Sequence, residues 1–591
     1  MRDRKTIVKP KNFKLAMKKL LVNSKSYILL ITIAVILSVF GAFLTIIGPD
    51  KIKEIVNEIT KGIMTGINLD KVKSIGIFLL IIYTLSAIFS YFQGFIMATV
   101  ANKFSWKLRN KISKKINRLP LKYFDNNLYG DLLSKITNDV DTIGQTMGQG
   151  TGQIVSAVTL LVGVLYMMFI TNPIMSVTAI VSSIIGFILL TIILSKSQKY
   201  FDEQQKELGN INGHIEEIYS GHNVIKAYNG IRIANQKFDE INERLYTSTK
   251  KSQFISSLMM PIMGFIGNLG YVSISVVGSI LVINGDLSIG TIVAFMIYVR
   301  LFTQPLSTIA QTIPQLQLLA SASERVFNFL DENELLDEAH KTKNLDSNKV
   351  KGFINFEKVR FGYIKNKIII KGFSAKIKPG QKIAIVGPTG AGKTTMINLL
   401  MNFYELNSGD IKIDGTSIME MSRENIHDLF IMVLQDTWLF NGTIKENIIY
   451  NTKNVTDEAV EAACQIVGID HFIKTLPDGY DTVLLDAESI SAGQKQLITI
   501  ARGMIKNGPF LILDEATSSV DTRTEELVQK AMDKLTSGRT SFIIAHRLST
   551  IKNADLILVM KNGNIIEQGD HNKLMKKNGF YAELYNSQFK N

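Results

Sequence analysis

Apolar positions crowd the first half of the chain. Six runs, near 27–48, 72–99, 146–170, 173–194, 257–283 and 289–319, are each long enough for a bilayer-crossing helix, which takes about 20 residues. Their connections alternate in character. Those after the first, third and fifth runs are short or charge-balanced: Thr171-Asn172-Pro173 carries no charge, and 284–290 carries only Asp286. Those after the second and fourth are long and basic; residues 101–144 hold nine Lys/Arg against four Asp. Basic residues accumulate on the cytoplasmic side of membrane proteins, which places both termini and the two long connections there. Helical spacing continues through Ala101–Leu119 and Lys196–Leu208, so the spans are expected to project into the cytoplasm at 1.5 Å per residue. Residues 123–131 read as a turn and a short cross-helix, and 210–215 as the matching elbow. Ahead of the first span, residues 1–26 are basic and carry Phe13, Leu15, Ala16, Met17, Leu20 and Leu21. That reads as an amphipathic helix on the inner membrane surface, against the plainer reading of a disordered tail.

Past 330 the pattern changes. Residues 331–351 are dense in charge and read as a linker. Beyond them, short apolar strands alternate with amphipathic helices, the signature of an α/β unit. The expected limits are 1–26 for the basic segment, 27–330 for an all-α six-helix transmembrane domain, 331–351 for the linker and 352–591 for the α/β domain.

Composition agrees with a membrane half and a soluble half. The chain has 591 residues, too many for a single core. Hydrophobic residues make up 46%, and the mean hydropathy is +0.15. The net charge of +14 is carried mainly by loops flanking apolar runs, so topology explains it better than nucleic acid, which is not expected as a partner. Cys464 is the one cysteine, which excludes an intrachain disulfide and a cysteine metal cluster. No small-residue cleavage site follows the first apolar core, so a retained helix is expected there, not a signal peptide. Within the spans, Arg300 faces either a cavity or an interface. Pro261, Pro305 and Pro314 are candidate kinks. Met259, Met260 and Met263 read as core filler more readily than as an adaptable pocket.

The chemistry centres on Gly387-Pro388-Thr389-Gly390-Ala391-Gly392-Lys393-Thr394-Thr395, which matches the phosphate-loop pattern G-x-x-x-x-G-K-[S/T]. Lys382–Val386 reads as a buried parallel strand before it and Met396–Phe403 as the helix after it. A strand entering a helix N-terminus through glycines aims backbone N–H groups and a positive dipole end at one point. Lys393 would reach the β- and γ-phosphates of a nucleotide, and the Thr394 hydroxyl would bind Mg²⁺. Phe510–Asp514 is an apolar strand ending in two acids. Asp514 suits the same Mg²⁺, and Glu515 suits a general base toward water. Gln435 ends another strand and is a further metal and catalytic candidate. His546 ends a third and could hold a γ-phosphate. Ser491-Ala492-Gly493-Gln494 opens a helix and offers a second phosphate contact. Tyr363, shortly before the phosphate loop, either stacks on adenine or merely packs.

Taken together, the chain resembles an ABC transporter half-molecule of the exporter type, over about residues 10–588. The resemblance implies a P-loop nucleotide-binding domain with a helical subdomain. By it, Tyr363 matches the adenine-stacking aromatic, Gly387–Thr395 the Walker A loop, Gln435 the Q-loop glutamine, Asp514 and Glu515 the Walker B pair, 519–521 with Asp521 the D-loop, and His546 the switch histidine. In this family two such domains meet head to tail, each ATP lying between one chain's Walker A and the other's signature. Closure on ATP turns the spans outward and hydrolysis resets them. The signature is usually Leu-Ser-Gly-Gly-Gln and here reads Ile490-Ser491-Ala492-Gly493-Gln494, while 484–489 lacks the Gly-Glu-x-Gly run. A sound hydrolytic set beside an altered signature fits one half of a heterodimer better than a homodimer.

The expected function is ATP-driven efflux or flipping of an amphipathic substrate across the plasma membrane, with membrane lipid and a second half-transporter as partners. The alternative is an ATP-gated regulator or channel of the same architecture, which an intact Glu515 opposes. An importer is disfavoured because the family's importers usually separate these domains. Only some 26 residues precede the spans, so a leader-processing peptidase is not expected.

Overall fold

The computed structural model describes residues 12–127, 129–364, 367–434, 437–484, 490–514, 522–544 and 551–589, with backbone alone at 64–65, 187, 189–198, 256, 259–260, 263, 522 and 588–589. The chain divides into two compact units: Met1–Asn117 with Leu128–Asn333, and Arg118–Asn127 with Glu334–Asn591.

The first unit is helical. Long helices span Ile28–Thr65, Leu69–Ile116, Pro173–Ser220, Ile231–Ile283 and Ile289–Leu330, and a further helical run covers Tyr129–Thr171. Among the described residues, five helices are long and apolar enough to cross a membrane. The stretch Pro173–Gly186 of a sixth is apolar but shorter, because the side chains beyond it lie outside the described residues. These six bracket the six expected spans. Helix starts follow local chemistry: Asn68 and Asn172 accept the amides of Lys71 and Met175 at 3.0 Å each, and Pro173 takes the first turn, where its missing N–H costs nothing. Ile46, Val164, Met168, Met175, Ile274 and Phe295 meet in one cluster that joins all of these helices but Leu69–Ile116.

Two expectations are corrected here. The first connection is no loop over 49–73: the helix Ile28–Thr65 runs past the apolar stretch, and charged residues sit on it as close pairs, Lys53 to Asp50 at 3.0 Å among them. Residues 210–215 are no elbow; they lie inside Pro173–Ser220. The turn comes later, at Gly221 and the short helix His222–Ala227, where Asn229 adopts φ 52°. Helices Ile231–Ile283 and Ile289–Leu330 carry Pro261, Pro305 and Pro314 inside them without interruption. Arg300 is exposed. The side chains of Met259, Met260 and Met263 lie outside the described residues. The basic N-terminal helix spans Phe13–Asn23, burying Ala16 and Leu20.

The second unit is built on sheets. Strands β1 (Ile354–Phe361), β2 (Ile370–Ile377), β4 (Ser408–Ile413) and β5 (Thr416–Ser417) form an antiparallel sheet ordered β2-β1-β4-β5. A six-stranded sheet is ordered β12-β11-β3-β10-β9-β6. Its members are β3 (Lys382–Val386), β6 (Phe430–Val433), β9 (Phe510–Asp514), β10 (Thr540–Ile544), β11 (Leu556–Lys561) and β12 (Asn564–Gly569). All but β12 run parallel. A pair β7 (Gly442–Thr443) and β8 (Val483–Leu484) stands apart. The parallel strands are apolar along their middles, with polar residues such as Lys382 and Asp514 at their ends, because helices cover both faces. One face packs with Met396, Leu399 and Leu400 of the helix Lys393–Leu400. The other packs with Leu497, Ile498 and Ile500 of the helix Ala492–Lys506 and with the helical subdomain around Asp457–Val467. Cys464 is fully buried in that subdomain, and burial pushes its thiol up to about 11.

Candidate functional site

The loop Gly387–Gly392 leaves the end of β3, which lies between β11 and β10. Ligands of open α/β sheets bind beyond the carboxyl ends of such strands. Glycines carry the turn. A Cβ on Gly387 would stand 2.3 Å from the Met560 carbonyl oxygen, and Gly392 caps the following helix at φ 102°, a conformation that strains residues with a side chain. That helix begins at Lys393, three residues earlier than the sequence pattern indicates. Pro388, Thr389, Gly390 and Thr394 are exposed on the crest, while Ala391 and Thr395 are buried.

Lys393 folds back across the loop. Its ammonium donates to the Gly387 and Pro388 carbonyls at 2.8 and 3.2 Å. Burial pulls its pKa down, opposed by the Asp514 carboxylate. Asp514 ends β9, in register with Ile544 of β10, so an acid and a cation face each other at one sheet edge. An ammonium held by two carbonyls beside helix N–H groups is poised to exchange those weak acceptors for phosphate oxygens.

Tyr363 follows β1 and is half-buried. Its hydroxyl lies 3.3 Å from the Thr395 hydroxyl. Its ring stands nearly perpendicular to Phe361 and Tyr404, with centroids 5.0 and 4.9 Å away. Tyr404 in turn donates to Asp125 on the short helix Leu121–Asn126. The cross-helix expected near 123–131 is thus two short helices, Leu121–Asn126 and Tyr129–Ser134.

The segment Ser491–Gln494 opens the helix Ala492–Lys506 with reciprocal bonds: the Ser491 hydroxyl accepts the Gln494 amide at 3.2 Å, and Gln494 Oε1 accepts the Ser491 amide at 2.8 Å. Ser491 and Ala492 are exposed, Gly493 is buried and Gln494 half-buried. This helix and the one after the phosphate loop belong to different core clusters. Gln435, Glu515, His546, 519–521 with Asp521, and most of 484–489 lie outside the described residues. Their flanking residues are placed: Val433, Asp514 and Ile544 end β6, β9 and β10 at the same sheet edge as Val386.

The sequence reading missed the support under the loop. The Gly563 amide donates to the Ala391 carbonyl at 3.1 Å, from the turn joining β11 and β12. Its signal was present, since Asn562-Gly563 between two apolar runs is a hairpin signature. Also missed was the clasp on the linker, where Glu338 accepts Arg423 Nη1 and Lys341 Nζ at 2.8 Å each.

Comparison with known proteins places this geometry. Residues 31–306 match the ABC transporter transmembrane region, and residues 370–518 match the ABC transporter family. A Mycobacterium tuberculosis protein named fatty acid ABC transporter ATP-binding/permease protein is 42% identical over 85% of this chain and 80% of its own. An uncharacterized ABC transporter ATP-binding protein of Bacillus subtilis is 39% identical over 96% and 93%. An ATP-dependent lipid A-core flippase of Syntrophus aciditrophicus is 32% identical over 88% and 87%. The chain is a multi-pass membrane protein of the ABC transporter family, a half-molecule of the exporter type that joins a helical transmembrane domain to an ATP-binding, ATP-hydrolysing domain.

Proposed function

We propose that this half-molecule pairs with a second one in the plasma membrane and uses ATP to export or flip an amphipathic, lipid-type substrate. The phosphate loop with Lys393 bridged toward it, carried on the same chain as the membrane helices, supports this most directly. The names of two relatives, a fatty acid transporter and a lipid A-core flippase, favour a lipid-type substrate. The domain limits follow the sequence reading: 1–26, 27–330, 331–351 and 352–591, with both termini and the ATPase domain cytoplasmic.

In the ATP site, Gly387–Thr395 wraps the phosphates and Tyr363 stacks on adenine. Thr394, Gln435 and Asp514 offer hard oxygen donors that suit Mg²⁺. When bound there, Mg²⁺ would neutralise charge on the phosphates. Glu515 acts as base toward water, His546 holds the γ-phosphate, and Asp521 serves as the D-loop aspartate. Ser491, Ala492, Gly493 and Gln494 serve the partner's nucleotide. The separate placement of the two helix N-termini favours a head-to-tail dimer, and the altered signature favours a heterodimer.

The test uses inverted vesicles carrying the full chain and its partner half. ATP should drive accumulation of a fluorescent phospholipid, and Glu515→Gln should bind ATP yet stop both turnover and accumulation. Full turnover in that variant would remove Glu515 as the base; turnover without any accumulation would favour a gated regulator.

A further inference from the structure

A cavity of about 910 Å³ opens within the first unit, between Ile28–Thr65, Leu69–Ile116, Tyr129–Thr171 and Ile289–Leu330. Its wall is graded. At one end Arg109 pairs with Asp141. In the middle stand the amides of Gln93, Gln145, Gln149, Gln153 and Gln304. At the other end are Leu160 and Leu301. Among the described residues that line it, Arg109 and Asp141 are the only charged ones.

The amide row is built, not incidental. Gly144, Gly148 and Gly152 recur every four residues beside it, and they let the helix Leu69–Ile116 come close. A Cβ on Gly144 would stand 2.4 Å from Ser105 Oγ, and one on Gly152 would stand 2.1 Å from Gln93 Nε2. Gln93 is thereby seated against the glycine row. In an α-helix residues four apart drift by about 40° per step, so Gln145, Gln149 and Gln153 would wind away from one face. The turn Thr146–Gly150 is π-helical; its wider turn takes up part of that drift, and such turns cluster at functional sites. Gln149, Gln153 and Gln304 are exposed although they lie inside apolar runs. An amide facing hydrocarbon is costly, so this wall faces water, a ligand or the proposed partner half.

We propose that this cavity binds the polar head of an amphiphile, and that the head is neutral and rich in hydroxyl or amide groups, not an ionised carboxylate or phosphate. Each glutamine both donates and accepts, which suits neutral groups of either kind. An anion would need an uncommitted cation, and the guanidinium here is neutralised by its own aspartate. The apolar end suits the chain that such a head carries. The proposal rests on the export reading above and narrows its substrate class.

The full chain in lipid nanodiscs is titrated calorimetrically, against empty nanodiscs, with three dodecyl probes: dodecyl maltoside, dodecanoate and dodecyltrimethylammonium. Saturable maltoside binding is expected, with the two charged probes about tenfold weaker or more, the loss of one or two hydrogen bonds. Gln149→Leu combined with Gln153→Leu should weaken maltoside binding about tenfold. Gln153→Glu should instead recruit the ammonium probe. Dodecanoate binding as tightly as maltoside, or leucine variants with unchanged maltoside affinity, would overturn the proposal. So would absent maltoside binding together with a dimer mass lost in the leucine variants, since a partner chain would then cover this wall. Maltoside binding that is lost in the variants, without ATP-driven movement of maltoside into inverted vesicles, supports the cavity assignment while failing the export reading.

Discussion

Gly387 has no room for a side chain, because the Met560 carbonyl oxygen occupies the space. Gly387→Ala must therefore push the β11–β12 turn away from the loop. We expect a stability loss of about 2 kcal/mol, as for an overpacked site, together with weakened binding of a fluorescent ATP analogue. An unchanged melting temperature would mean the turn yields freely. Tyr363 separates two roles by substitution. Phe and Trp keep a stacking face and lose only the Thr395 contact, worth about 1 kcal/mol, whereas Ala loses both. If stacking matters, ATP affinity falls for Tyr363→Ala alone; equal loss in all three variants counts against it. His427 gives a pH dependence. Burial holds its pKa below the ordinary value, helped by the Lys506 and Arg423 charges and opposed by the bond from its ring to the Met401 carbonyl at 2.9 Å. The unfolded chain therefore takes up this proton first. Its contribution is whole above about pH 6.5 and declines as pH falls toward the lowered folded value. Denaturation midpoints of the wild type across that range should slope more steeply than those of His427→Gln.

At the scale of elements, two features carry separate predictions. The Ser491–Gln494 box caps the helix Ala492–Lys506, so Ser491→Ala should cost about 1 kcal/mol in a melt without nucleotide, a loss distinct from any effect on turnover. In the first unit Arg325 grips Asp139 with two bonds of 2.9 and 2.6 Å, and the Asp139 side chain is only 7% exposed. Arg325→Met strands that carboxylate, and a loss of about 3 kcal/mol is expected, read as faster thermal inactivation. Elements of this kind were legible to different degrees. The phosphate loop, its strand and Asp514 were readable because a local pattern dictates a local geometry. The second elbow was misplaced because Gly209 and Gly213 look like breakers, yet neither adopts a positive φ and the long helix passes through them. The first connection was misread for the reverse reason, since charge alone does not end a helix that can hold its charges in pairs. The Tyr363–Tyr404–Asp125 chain had no local signal at all, because its members meet only through the fold.

For the whole molecule the question is whether the proposed dimer joins two copies of this chain or two different halves. Purified alone in lipid, a homodimer should hydrolyse ATP, and Ala492→Gly should change its rate little. An obligate heterodimer should be inactive until its partner is added. Monomeric yet active protein would undo the dimer reading altogether.

Cys464 bears on that question from an unexpected side. A thiol that is buried and hard to ionise reacts slowly with maleimides and methanethiosulfonates, so the native chain is already a quiet background for spin labelling. A single cysteine introduced at exposed Ser537, ahead of β10 and at the opposite end of that strand from the phosphate loop, would then be the one labelled site per chain. A homodimer brings two such labels together and gives a dipolar oscillation whose period reports their separation. A pairing with an unlabelled second half gives none. The lone cysteine thus lets the composition of the assembly be read from one spectrum without first removing a native thiol.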